Sequence, residues 1–196
     1  MQRLTDLRPA QWLLASSTTW PRLVTQGPAG FEAYARLRYI PDPEYPGLEE
    51  SDVTLAADHP SDFQQAWRTL QLLGQITGSD ANCFVCLWTG YGGTYTTPEM
   101  DVGPFLALPH RDYVLFAGRV DELQDGEADF GDGASCPPPA FVWSADHAWC
   151  FTSDVDPHWA GIGASRQAIE LLCRERSLDI VSVLDPEQAP PRYGAV

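Results

Sequence analysis

The chain contains no lysine: all twelve basic residues are arginine, and they face 27 Asp and Glu for a formal net charge of -15. Using only Arg reflects a codon bias rather than a mechanism. The sign of the charge is more informative, because a phosphate backbone would be repelled at long range unless a local basic patch intervened, and no run of arginines supplies one. Nucleic acid is therefore not expected as a partner, and a basic protein is the natural electrostatic complement. No apolar run approaches the ~20 residues of a membrane span, so no membrane partner is expected. The opening "MQRLTDLRPAQWLLASS" is too short and interrupted in its apolar part for a signal peptide, which makes a cytoplasmic protein the expectation. The five cysteines, Cys83, Cys86, Cys136, Cys150 and Cys173, are odd in number and scattered. They do not form a disulfide framework, and reduced, mostly buried thiols are expected.

What is present suits a folded core. With 196 residues, 44% of them hydrophobic, the chain is long enough to bury one. We expect one domain over 1–196, with a loosely packed N-terminal part, 1–58, and an acidic insertion loop, 121–139. Arg8–Leu14 can open with a short helix, Pro9 lying near its first turn. Phe31–Ile40 alternates as a strand does, with Ala33, Ala35, Leu37 and Tyr39 on one side, although its Ala and Arg content also suits a helix. Ser61 with Gln64 three residues later forms a capping box, so a helix should start there. Its buried face would be Phe63, Ala66, Trp67, Leu70 and Leu73, and Gly78 is placed to end it.

Beyond this helix the runs "CFVCLW", "DYVLFAGRV", "AFVWS" and "AWCFTSDV" are short and rich in aromatic and β-branched residues, with turn formers between them. They read as strands, with Ser144–His147 as a hairpin turn. Ser165 can cap a helix over Arg166–Arg176, and Leu178–Leu184 reads as a last strand. Strands adjacent in sequence with few helices between them predict an α+β fold, mainly an antiparallel sheet with about three helices.

Each chemical motif has a plainer explanation beside it. In a strand, Cys83 and Cys86 of the Cys-x-x-Cys project from opposite faces, so they neither pair nor hold a metal together. Thr89–Gly93 lacks the Lys of a phosphate loop and reads as a turn carrying Trp88 and Tyr91. Arg111 or Asp112 is expected to form a structural ion pair at a strand entry. His147 and Cys150 lie three apart across a predicted turn, where their side chains need not meet as a nucleophile pair. Asp154, Asp156 and His158 are the weak candidates for a metal, without the Gly and distal Glu of a calcium loop. Gly161–Ser165 reads as a tight strand-to-helix turn rather than an anion site. The run Asp121 to Asp132 carries six acidic residues and no basic one and is exposed by prediction, a place for partner contacts.

Four runs in order, "CFVCLWTGYG", "LPHRDYVLFAG", "PPAFVWSADHAWCFTSDVD" and "GIGASRQAIELL", cover about residues 80 to 173. They resemble a widespread actinobacterial group of proteins, as does "FEAYARLRYIPDP" more faintly. The resemblance implies no activity, cofactor or catalytic residue. Ala164 departs from it, standing where a second Gly is expected in the turn.

The composite expectation is a non-catalytic module that binds a basic protein, as immunity and antitoxin proteins do. Its contact residues would be Asp121, Glu122, Asp125, Glu127, Asp129, Asp132, Trp88 and Tyr91, and no cofactor is expected. Two alternatives are a small metal-dependent hydrolase built on Asp154, Asp156 and His158, and a sensor with Trp88, Tyr91, Trp143 and Trp149 around a pocket.

Overall fold

The computed structural model describes residues 1–79, 82–91, 102–123, 136–186 and 188–194. Its strands are β1 (Gln2–Arg3), β2 (Ala33–Arg38), β3 (Cys83–Trp88), β4 (Leu106–Leu108), β5 (Arg111–Gly118), β6 (Phe141–Ser144), β7 (Trp149–Ser153), β8 (Trp159–Ala164) and β9 (Ile180–Val183). They join one sheet in the order β1-β5-β3-β6-β7-β8-β2-β9, with β4 beside β5 as well. Every pairing is antiparallel. The helices are α1 (Gln11–Leu14), α2 (Trp20–Thr25), α3 (Asp62–Thr77) and α4 (Arg166–Leu172). This is an α+β fold in which the sheet predominates.

The period-two reading of β3 holds residue by residue. Cys83, Val85 and Leu87 join the cluster that contains Leu70 and Leu73 of α3 and Ile169 and Leu172 of α4. Phe84, Cys86 and Trp88 join the opposite cluster, with Leu13 of α1 and Leu23 and Val24 of α2. Helices therefore cover both faces, and residues from 1–58 contribute to both cores. Among them are Leu13, Leu23, Val24, Tyr34, Ala35 and Leu37, all buried.

Local chemistry sets the long helix. Ser61 accepts from Gln64 N–H while the Gln64 side chain caps Ser61, and Gly78 ends α3 in the left-handed conformation at φ 69°. The opening helix divides into a 3-10 turn, Arg8–Ala10, followed by α1. The last helix stops at Leu172, short of the expected Arg176.

The glycine run corrects the sequence reading. Gly161, Gly163 and Ala164 lie inside β8, not in a turn, and a Cβ on Gly161 would meet the backbone of Gln26 at 2.5 Å. The glycines let α2 and the chain after it press onto the sheet. At that contact the free carbonyls ending α2 find donors: Thr152 Oγ1 reaches Leu23 O at 3.3 Å and Val24 O at 3.2 Å, and Trp159 Nε1 donates to Thr25 O at 3.1 Å. No helix of the described residues is long and apolar enough to cross a membrane.

Candidate functional site

The β4–β5 hairpin sets the site's first residue. Leu108 pairs with Arg111 across Pro109 and His110, and His110 takes φ 71°, as the third residue of a type II turn with Pro before it does. On the next strand Trp88 pairs with Tyr113, so Arg111, two residues back on the same face as Tyr113, lies diagonally beside Trp88. Its guanidinium sits 4.6 Å from the Trp88 ring centroid, and Tyr91 stands edge-on to Trp88 at 5.0 Å.

The chain leaving β7 supplies the counter-charges. Arg111 binds the carboxylate of Asp154 directly, and Asp156 lies 3.9 Å away. The side chain of Asp154 is 8% exposed and that of Asp156 77%. Burial holds the Asp154 carboxyl above its ordinary pKa, against the Val155 N–H and Arg111, which pull it down. Arg111 thus forms the ion pair expected of it, with a partner 43 residues away. β7 ends at Ser153, and Asp154 and Asp156 meet at Arg111 through the bend that follows.

Beside this group opens a cleft of about 210 Å³, lined by Tyr39, Asp62, Tyr91, Cys136, Ser153, Asp154, Val155 and Pro137, Pro138 and Pro157. Its floor holds a hydroxyl pair, Tyr39 OH and Ser153 Oγ at 3.1 Å. Both residues are buried, at 3% and 7% exposure, and burial pushes the Tyr39 phenol well up, so it does not serve as a base at neutral pH. Asp62, the first residue of α3, is solvent-exposed at the rim, yet protein crowds its carboxyl enough to raise its pKa.

The other candidates separate. His158 is buried and turns to Asp42, Nε2 to Oδ1 at 3.1 Å, away from Asp154. Arg36 grips Asp42 with two bonds of 2.8 Å and Arg38 adds a third at 3.1 Å. Burial alone would raise Asp42, but Arg36, with His158 and Arg38, holds it well below the usual carboxylate range. Burial also lowers His158 despite Asp42, favouring the neutral imidazole. Among the described residues, no three His, Cys, Asp or Glu side chains are placed to hold a metal.

The nucleophile pair does not assemble. His147 is exposed and lies against Trp12, ring centroids 4.6 Å apart, while Cys150 is fully buried in the core and burial pushes its thiol up. The four-aromatic pocket does not assemble either. Trp143 and Trp149 are fully buried on opposite faces of the sheet.

Of the acidic run, Asp121 bonds Arg119 at 3.0 Å and Glu122 meets the N-terminal ammonium at 3.1 Å. Both follow the Gly118 end of β5, whereas Trp88 and Arg111 lie at its other end, about 20 Å away at the usual rise per residue. Asp125, Glu127, Asp129 and Asp132 lie outside the described residues. Tyr39 and Asp62 joined the site unforeseen, because each reads in sequence as an ordinary strand or helix-start residue. No family model, curated protein or solved structure matches the chain.

Proposed function

We propose that the protein is a non-catalytic module that holds a basic protein partner, in the manner of immunity or antitoxin proteins. The observation that carries this reading is the meeting of Trp88 and Tyr91 with Asp154, Asp156 and Asp62 at one end of the sheet. Among the described residues of that group Arg111 is the one cation, and Asp154 neutralises it. Aromatic side chains beside partly exposed carboxylates match the anatomy of protein interfaces: large contact area at the centre and charge at the rim. The net charge of -15 supports a basic partner and disfavours nucleic acid.

The hydrolase reading has less support. Its carboxylate is engaged by Arg111 and its imidazole by Asp42, on separate sides of the bend that joins them.

Affinity capture from the native host at low salt tests the proposal. We expect one basic protein at near-stoichiometric yield, released by raising the salt and reduced when Asp62 and Asp156 are changed to Asn and Trp88 to Leu together. Recovery of no protein above background, or equal recovery by the triple variant, contradicts it.

A further inference from the structure

The cleft beside Arg111 has a chemistry more specific than negative charge. Its walls are apolar and flat: Tyr39, Tyr91, Val155 and the prolines Pro137, Pro138 and Pro157. Among the described residues its polar groups are the carboxylates of Asp62 and Asp154, the hydroxyls of Tyr39, Tyr91 and Ser153 and the thiol of Cys136, and none of the described residues lining it is cationic. The hydroxyl pair is more than nine-tenths buried, and its one mutual hydrogen bond leaves oxygen lone pairs available to a donor. Oxygen acceptors at the base, carboxylates at the side and aromatic faces around them form a receptor for a group that is positive, rich in N–H and carried on an apolar stem. Next door the fold already holds such a group in the same way, with the Arg111 guanidinium over Trp88 and against Asp154.

We propose that this cleft receives an organic cation, and specifically the guanidinium or ammonium of an arginine or lysine side chain on the basic partner. A volume of about 210 Å³ admits one such side chain and excludes a folded segment. The cation stacks on Tyr91, donates to Asp62 at the rim, and reaches the Tyr39–Ser153 pair with its end, while buried Asp154, held by Arg111, adds negative potential to the wall. The inference deepens the protein-binding reading and rests on it for the origin of the cation.

Calorimetric titration of the whole protein tests it with four probes: n-butylguanidinium, its neutral isostere n-butylurea, a short Gly/Ser peptide with one central arginine, and the same peptide with citrulline. We expect saturable binding of the two cationic probes, in competition with each other, and none of the neutral ones. Asp62→Asn and Tyr91→Leu, both at partly exposed positions, should each weaken binding about fivefold while circular dichroism and melting stay those of the parent. Equal binding of the neutral probes, unchanged binding in both variants, or no saturable binding of either cation overturns the proposal. Binding of butylguanidinium with exclusion of the arginine peptide overturns the assignment to a partner's side chain. If Asp62→Asn loses the small cation but still captures the basic protein undiminished, the assignment of the cleft to the partner's side chain falls and the protein-binding reading stands.

Discussion

Arg111 is where the site depends most on one side chain. It neutralises an almost fully buried carboxylate, covers the face of Trp88 and lies within reach of exposed Asp156. Removing one partner of such a pair leaves the other charge buried and alone, which costs about 3 kcal/mol. Arg111→Met should therefore lower stability in urea by about that amount at pH 7. The loss should shrink as the pH falls, because Asp154, whose pKa burial already raises, becomes neutral and no longer needs a partner. Adding Asp154→Asn to Arg111→Met should recover much of the loss, since the double change leaves no buried charge. A single variant within ~0.5 kcal/mol of the parent at pH 7 would mean that the pair is a surface contact only. The ion pair at the strand entry was legible in the sequence from Arg111 itself. Its partner was not, because no local pattern links β5 to a bend 43 residues later.

Among the elements, β8 separates what periodicity can and cannot tell. A strand with two glycines and two alanines has little side-chain signal, so Gly161–Ser165 reads as a turn. What places it in the sheet is the close approach of the chain after α2, a tertiary fact. The two glycines differ in what stands above them. A Cβ at Gly161 meets backbone, Gln26 Cα at 2.5 Å, whereas one at Gly163 meets the ring of Phe31 at 2.4 Å. Backbone yields less readily than a partly exposed ring. Gly161→Ala should cost about 3 kcal/mol and Gly163→Ala about 1 kcal/mol, the upper and lower ends of overpacking costs, as read from denaturant midpoints. The reverse order would show that α2 can lift from the sheet more easily than Phe31 can turn. By contrast α3 was legible from end to end, because its capping box, apolar stripe and closing glycine are all local signals.

At the scale of the whole molecule, the antiparallel α+β architecture followed from short strands adjacent in sequence, and the divergence of Cys83 and Cys86 from strand alternation alone. Less legible was the joining of remote segments. Asp42 and His158 come together although 116 residues separate them, and Tyr39 meets Ser153 across 114. Such contacts depend on strand order, which in this sheet runs β7-β8-β2 and so brings an early strand beside late ones. The site inherits that order: Asp62, Tyr39 and Asp154 line one cleft because β2, α3 and the end of β7 converge there. The charge is also a property of the whole, and it bears on encounter rate more than on affinity.

The most direct test of a charge-steered protein partner is therefore the association rate constant with the captured basic protein, measured against ionic strength for the parent and for a variant carrying Asp125→Asn, Glu127→Gln, Asp129→Asn and Asp132→Asn. The parent's rate should fall about tenfold or more between 20 and 300 mM salt, as expected for screening of a steered encounter. The variant should associate more slowly at low salt, show a flatter salt dependence, and dissociate at an unchanged rate. A parent rate indifferent to salt, or a variant whose association matches the parent's throughout, would contradict charge steering.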